Sequence, residues 1–459
     1  MADFDLFVIG GGSGGVACAR RSATYGAKVG LCESSRVGGT CVIRGCIPKK
    51  LMRYGATFPE HFAAARHYGW RVPEPELDWS ALTHARDREI DRLNGIYIGM
   101  LERAGVQLVP GRGRLLDAHT VQVGEERFTA DRILIAVGGR PSLPDLPGVE
   151  HTITSDFVLE EMRERPDRVV VVGGGYIGLE LASILAGLGV ETMMILRRGL
   201  PLRGFDEDVR AAVDEQLKNH GVLIRSDTVV TAIEPAGGRV RLTTSGGEVD
   251  AAAALYATGR GPRPNTGHLG LEALDVRMTP DGAVVVDDAY RSSIPHIYAV
   301  GDCSDHAGSG LDAGQFDLTP VAIAEGRVIA ETLFNDHPHR VNYETIPTAV
   351  FSVPEVAQAG LTEAGARERR LDVEVFRTSF RPLKHTLTGM PVRTMMKMVV
   401  DRTTDRVLGC HMVGEDAAEI IQGLAVAMTA GATKCQFDET VGLHPTAAEE
   451  FVTMYQAAR

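Results

Sequence analysis

Two stretches of this chain place an apolar run, a glycine-rich loop and a helix-forming segment in immediate succession, and this double occurrence constrains the fold more than any other feature. In the first, Asp5 to Ile9 reads as a short buried strand, Gly10-Gly11-Gly12-Ser13-Gly14-Gly15 as the loop and Val16 to Tyr25 as the helix. In the second, Arg168 to Val172 is the strand, Gly173-Gly174-Gly175-Tyr176-Ile177-Gly178 the loop and Leu179 to Leu188 the helix. Each is Gly-x-Gly-x-x-Gly in its βαβ context, where glycines permit a tight turn and a pyrophosphate rests on the unpaired N–H groups of a helix start. The expected fold is therefore α/β, with two Rossmann-like dinucleotide-binding domains. After the first unit, Lys28 to Cys32 reads as a strand ending at Glu33, an acid where a ribose hydroxyl is expected. After the second, Glu191 to Leu196 ends in Arg197-Arg198 with Arg203 beyond, and basic residues there suit a 2′-phosphate. Gly178 leans the other way, towards the close helix packing of units that take NAD.

At 459 residues the chain exceeds one core, and roughly 150 residues per domain predicts about three domains. The proline-rich run from Pro141 to Gly148 reads as a boundary, Thr228 to Gly259 alternates as strands do, and the composition changes at Thr345. The division expected is 1–142 and 266–344 for the first dinucleotide domain and its continuation, 143–265 for the second, and 345–459 for a C-terminal α+β domain. That last part shows strands at Val373 to Phe376, Met395 to Val400 and Val407 to Met412, helices at Ala417 to Thr429 and Thr446 to Met454, and no nucleotide signature. Lys and Arg total 48 against 60 Asp and Glu, a net charge of −12, which argues against nucleic acid or an anionic membrane as a partner. Seven cysteines are too few for a disulfide scaffold and odd in number, as expected of a reducing compartment. The start is acidic, its apolar run from Leu6 to Ile9 is short, and no span reaches the roughly 18 to 20 apolar residues of a membrane helix, so a cytoplasmic protein is expected.

Two of the cysteines, Cys41 and Cys46, stand in Gly-Gly-Thr-Cys-Val-Ile-Arg-Gly-Cys-Ile-Pro-Lys-Lys, from Gly38 to Lys50. On a helix begun near Thr40 both sulfurs lie on roughly one side and can bond across it. A disulfide closing so short a loop removes little chain entropy, so reversible opening is a better reason for it than stapling. The competing reading is a pair of reduced, buried small hydrophobes, whereas zinc fits poorly because no second cysteine pair accompanies the first. Pro48 suits a first helical position, and Lys49, one turn after Cys46, favours a thiolate there unless it and Lys50 are plain surface charges. Ser80 can cap a helix running to Ala104, and Thr319-Pro320 has cap and first-position chemistry for Val321 to Phe334. Asp302 follows the strand Ile297 to Val300 and can meet a ribityl or pyrophosphate group. Glu449 can fix the ring tautomer of His444 and orient it as an acid-base group for a thiol.

Taken together, Gly-Gly-Thr-Cys-x-x-x-Gly-Cys-x-Pro-Lys-Lys, the two glycine-rich units, Gly301-Asp302 and His-Pro-Thr-Ala-Ala-Glu-Glu from His444 resemble the flavin-dependent pyridine nucleotide-disulfide oxidoreductases along the whole chain. Leu202-Arg203-Gly204-Phe205-Asp206 and the His-Pro block are most similar to the glutathione-reducing branch. The resemblance implies FAD on the first unit, with Gly39, Thr40, Cys41, Cys46, Lys49, Gly138, Asp302, Leu318 and Thr319 beside it. It implies NADPH on the second unit, with Gly259 near it. It further implies a homodimer in which His444 and Glu449 complete the partner's site. Cys46 is then the thiol at the flavin, Cys41 the thiol that attacks glutathione disulfide, Lys49 pairs with Glu180, and Tyr176 swings aside for nicotinamide. Ala17, Arg20, Ile96, Tyr97 and Arg327 would line the tripeptide site. Three features depart from the pattern: Met100 where a polar contact is expected, Gly178 where NADPH-using relatives carry Ala, and a Ser304 to Asp317 loop about nine residues longer than usual. Trypanothione-like disulfides or dihydrolipoamide are the alternative substrates. A nucleotide-binding redox sensor is the non-enzymatic alternative, and it gives no reason for His444, Glu449 and the two cysteines.

Overall fold

A computed structural model describes residues 2–259, 264–306 and 317–458. Its organising sheet has seven strands, with Gln107–Pro110, Val29–Glu33, Phe4–Ile9, Glu126–Ile135 and Ile297–Ala299 side by side and parallel. Such a core needs strands apolar on both faces, and Leu6, Phe7, Val8, Ile133, Leu134 and Ile135 are all completely buried. The strand Glu126–Ile135 serves two purposes: its first half pairs antiparallel with Thr120–Val123, and its second half runs parallel between Phe4–Ile9 and Ile297–Ala299. A second parallel sheet orders Ala253–Tyr256, Arg168–Val172, Glu191–Ile195 and Leu223–Arg225, beside an antiparallel meander from Val230 to Ala251. The C-terminal part is a five-stranded antiparallel sheet, Thr348–Val350, Val356–Gly360, Val407–Val413, Thr394–Asp401 and Val373–Phe380 in spatial order, covered by the helix Ala417–Thr429. The architecture is two dinucleotide-type α/β units and a C-terminal α+β part. No described helix is long and apolar enough to cross a membrane.

The two glycine-rich turns are built alike. Gly10 has φ +111° and Gly173 φ +126°, and a Cβ on either would fall 2.4 Å from a carbonyl oxygen, that of Ala136 or Ala257, at the end of the neighbouring parallel strand. Only glycine tolerates that conformation and that approach together.

Several local expectations need correction. The cysteine segment is two helices: a π-type turn at Thr40–Arg44, then Gly45, then an α-helix from Cys46 to His67. Gly45, at φ −140° and ψ −112°, breaks the run, so the sulfurs belong to consecutive helical pieces and Pro48 stands third in its helix. The next long helix begins at Trp79 and its cap is Asp78, whose carboxylate accepts from the Ala81 N–H at 2.9 Å; Ser80 already lies inside. Leu318 is the cap position of the helix Thr319–Phe334, which starts without a side-chain cap. The C-terminal helical segment is reduced to Glu450–Thr453. Of the long loop, residues 307–316 lie outside the described residues.

Contacts that no local pattern announces join the C-terminal sheet to the second dinucleotide unit. Lys397, 2% exposed, donates to Asp206 at 2.8 Å, Asp208 at 2.7 Å and Glu363 at 2.9 Å, and the Glu363 N–H reaches the other Asp206 oxygen at 3.0 Å. Burial works against charge on both sides, yet Lys397 holds the Asp206 carboxyl below its ordinary range and is itself held above by its three partners. The Lys397 bond likewise lowers Glu363, burial opposing. A carboxylate lowered in the folded state contributes stability that is present above its unfolded value and lost as pH falls through the folded one. Lys397→Met should therefore leave the buried Asp206 carboxylate without its ion-pair partner, at a cost of about 3–5 kcal/mol. Calorimetry should show a melting temperature several degrees lower at neutral pH, with the gap to wild type closing in acid; an equal gap at all pH values would contradict this account.

Candidate active site

The redox segment is pinned directly to the first glycine loop. Gly39, at φ +58°, approaches so closely that a Cβ there would lie 2.7 Å from the Gly12 Cα, and the Gly38 N–H donates to the Gly11 carbonyl at 2.8 Å. Glu33, at the end of its strand, accepts from the Gly11 N–H at 2.7 Å and from the Ser35 N–H at 2.8 Å. These residues open onto a continuous cavity of about 1820 Å³. Its walls include Gly10, Gly12, Ser13 and Gly14, then Glu33, Gly39 and Thr40, then Gly138, Asp302, Leu318 and Thr319. The donor set suits a flavin dinucleotide: backbone N–H groups at a glycine turn, an acid at the ribose position and space no Cβ could share. Gly15 lies behind the loop, where a Cβ would stand 2.0 Å from the Gly10 oxygen, so its task is packing.

Cys41 and Cys46 sit on the cavity wall, both partly buried. The Thr319 hydroxyl lies 3.6 Å from Cys46 Sγ, so the residue expected to cap its helix faces the sulfurs instead. Lys49 Nζ is 2.8 Å from Glu180 Oε1 and 5.1 Å from the centre of the Phe351 ring. Burial alone would lower Lys49, but Glu180 and the Cys46 sulfur hold it above its ordinary value. Cys46 is pulled down to about 6, first by the hydrogen bond from the Cys41 thiol and then by the Lys49 charge and the Thr319 hydroxyl, against its burial. The same bond to Cys46, together with burial, pushes Cys41 up. The reduced pair is thus asymmetric, with the thiolate on Cys46 and the proton on Cys41.

The second unit contributes Tyr176, Ile177, Glu180 and Arg203 to the same cavity. Tyr176 is the first residue of its helix and remains 39% exposed, while Glu180, one turn on, is 1% exposed. Gly173, Gly175, Gly178 and Gly259 form or flank the turn without lining the cavity; a Cβ at Gly178 would stand 2.4 Å from the Gly173 oxygen. Arg197 and Arg203 are both exposed, and only Arg203 reaches the cavity wall.

Ala17 and Arg20 lie on the helix Ser13–Thr24, Ile96, Tyr97 and Met100 on Trp79–Arg103, and Arg327 on Thr319–Phe334, all outside the cavity lining. Arg20, Ile96 and Arg327 are exposed, whereas Tyr97 packs against Val42 and Ile43 of the cysteine turn. Burial and the nearby Cys41 sulfur push its phenol up. His444 is not brought to the sulfurs of its own chain. Its side chain is 80% exposed, with Nδ1 3.1 Å from each Glu449 oxygen, so the other ring nitrogen faces outwards. The sequence reading missed Phe351, whose N–H donates to Glu180 Oε1 at 2.8 Å, because nothing local marks a backbone donor.

Residues 4–326 match the family described as pyridine nucleotide-disulphide oxidoreductase, and residues 346–455 match the dimerisation domain of that description. The chain is 49% identical over 467 residues to a glutathione reductase of Nostoc sp., covering 98% of this chain and 99% of that one. It is 46% identical over 470 residues to the chloroplastic/mitochondrial glutathione reductase of Pisum sativum, covering 100% and 83%. A glutathione reductase of Burkholderia cepacia is 45% identical over 454 residues, with 98% of each covered.

The asymmetry of the two thiols is testable without any disulfide substrate. Replacing Lys49 with Met should raise the pH midpoint for iodoacetamide alkylation of Cys46 in the reduced protein by about one unit or more. A midpoint that stays put would mean that the lysine charge does not reach the sulfur.

Proposed function

The chain belongs to the pyridine nucleotide-disulphide oxidoreductase family, and from that premise we propose that it reduces glutathione disulfide to two glutathione molecules with NADPH, through FAD and the Cys41–Cys46 pair. The observation that carries this reading is the pair of partly buried cysteines, one lowered and one raised, on the wall of a cavity that runs from one glycine-rich unit to the other. The first glycine loop, Glu33 and Asp302 would hold FAD, and Tyr176, Ile177 and Arg203, with Arg197 at the edge, would hold NADPH. Bound there, these groups supply one electron pair, passed from nicotinamide through flavin to the Cys41–Cys46 disulfide.

The chain's own residues do the thiol chemistry. The reduced pair starts with a thiolate on Cys46 and a thiol on Cys41, and Cys41 must lose its proton to act as nucleophile. His444 of the partner subunit takes that proton. The Cys41 thiolate then forms a bond to one sulfur of glutathione disulfide, the substrate S–S bond breaks, and the leaving thiolate receives the proton back from the same imidazolium. Cys46 attacks the Cys41 sulfur of the mixed disulfide, the second glutathione leaves as thiolate, and the Cys41–Cys46 disulfide is restored. Arg20 and Arg327 would meet substrate carboxylates, and Tyr97 would pack beside the reacting sulfur. A homodimer is supported by the apolar side chains around His444: Val441 is 93% exposed, Leu443 76% and Tyr455 75%, and such a patch is expected to be covered.

Turnover measured across glutathione, trypanothione and lipoamide disulfides, each with NADPH and NADH, tests the proposal in one experiment. Glutathione disulfide with NADPH should give the highest kcat/KM, exceeding NADH by at least about 100-fold, or roughly 2.7 kcal/mol, because two arginine contacts to a 2′-phosphate outweigh the effect of Gly178. Preference for lipoamide would reject the substrate, and NADH within about tenfold of NADPH would remove the phosphate role of Arg197 and Arg203.

Shared sites make a second prediction. Inactive Cys41→Ser and His444→Ala proteins, mixed in equal amounts under conditions that exchange subunits, should recover about a quarter of wild-type activity, since half the dimers carry one intact site. No recovery despite demonstrated exchange would assign the histidine to its own chain.

A further inference from the structure

The helix Thr319–Phe334 starts at the sulfurs and ends, about 20 Å away, beside a group of residues that the proposed chemistry does not use. There Glu331 and the segment His337-Pro338-His339 bring one carboxylate oxygen and one ring nitrogen from each histidine within 4.8 Å of one another. The arrangement is held from behind. The N–H groups of Asn335 and His337 both donate to the Glu331 carbonyl, at 3.1 and 3.2 Å, folding the segment back over the residue that carries the carboxylate. His339 Nδ1 lies 3.0 Å from the His337 carbonyl, which can only accept, so in the neutral ring the proton is on Nδ1 and the lone pair on Nε2.

That lone pair points at Glu331. His339 Nε2 is 3.5 Å from Glu331 Oε2, too long for a good hydrogen bond. It is, however, close to the edge of a tetrahedron whose centre lies about 2.0–2.1 Å from each ligand atom, an edge of roughly 3.3–3.4 Å. The other carboxylate oxygen, Oε1, receives Arg21 Nη2 at 2.8 Å, leaving Oε2 turned to the histidines. A backbone carbonyl behind the histidine and a donor behind the carboxylate are the outer partners that orient metal ligands. The His337 ring, 5.0 Å from His339 centre to centre, supplies the second nitrogen and third ligand atom.

We propose that Glu331, His337 and His339 form a binding site for a borderline divalent transition ion of the zinc type, with water completing its coordination. Two imidazoles and one carboxylate favour such an ion over magnesium or calcium, which take oxygen ligands. The ion would fasten the segment His337-Pro338-His339 to the last turn of the helix Thr319–Phe334, clear of Cys41 and Cys46, with Arg21 of the helix Ser13–Thr24 behind its carboxylate ligand.

The test is calorimetric titration of zinc chloride into the oxidised FAD-loaded protein without reductant, so that Cys41 and Cys46 are bonded, in a Cys435→Ser background because that thiol is exposed beside Glu439. The background protein should bind one zinc per subunit, with no binding from magnesium chloride. Both His337→Ala/His339→Ala and Glu331→Gln should weaken zinc binding by at least roughly tenfold and leave turnover unchanged. Equal zinc affinity in either variant, or no binding by the background protein up to about 1 mM zinc, would overturn the site.

Discussion

The Lys49–Glu180 ion pair is the contact on which the rest of the site depends. Its two charges belong to different parts of the chain, the helix Cys46–His67 and the helix Tyr176–Gly187, and each is nearly out of water. Burying such a pair is unfavourable unless the geometry is good and further donors satisfy the carboxylate. Here the second donor is the Phe351 N–H at the entrance to the C-terminal sheet, and Arg53 from the cysteine helix meets Glu355 at 3.1 Å a few residues on. The Val353 N–H meets Ser183 at 3.1 Å between them. One carboxylate therefore fixes the mutual placement of the redox helix, the second dinucleotide unit and the C-terminal part. The same placement holds the lysine charge beside Cys46, where it adds to the hydrogen bond from the Cys41 thiol, the larger cause of that sulfur's acidity.

The sequence revealed what short-range sterics dictate. Both glycine turns are legible because each first glycine carries a positive φ and sits against a carbonyl of the neighbouring strand, a demand that excludes every other residue. The parallel strands are legible because burial on both faces requires unbroken apolar runs, as from Leu6 to Ile9 and Val169 to Val172. Where two local options were close in energy, the reading failed at the ends. Asp78 and Ser80 both suit a cap, and the chain uses the one two residues earlier; Thr319 has cap chemistry but turns its hydroxyl to a sulfur. Gly45 was visible in the cysteine segment, but nothing local announced that it would divide the segment into a π-type turn and an α-helix.

Contacts between distant residues were legible only through the family resemblance, as the Lys49–Glu180 pair was, and otherwise not at all. Asp206 looked like part of a family motif and proves to be a partner of Lys397, and its neighbour Arg203 stands in the cavity wall. An acid and a base 191 positions apart leave no periodic trace in one sequence, and neither does a backbone N–H such as that of Phe351. His337-Pro338-His339 went unread, because the meaning proposed for it depends on Glu331 lying under it, which only the folded helix end reveals.

The thiol asymmetry also gives the proposed cycle a reason to share its site between two chains. The contact that does most to make Cys46 a good thiolate, the hydrogen bond from the Cys41 thiol, is also the one that keeps the proton on Cys41, whereas Lys49 and the Thr319 hydroxyl favour a thiolate on either sulfur. While the two sulfurs share one proton only one of them is a thiolate, so in the proposed cycle the second activation needs a separate base. His444 has the properties of one: its ring is fixed by Glu449 on one nitrogen, open on the other, and held on an exposed apolar face away from the sulfurs of its own chain. Bringing that base from a second subunit keeps its proton traffic apart from the Lys49 charge that tunes Cys46. In the proposed cycle dimerisation is thus part of the acid-base chemistry, and a monomer would keep an activated Cys46 facing a Cys41 with no base to take its proton.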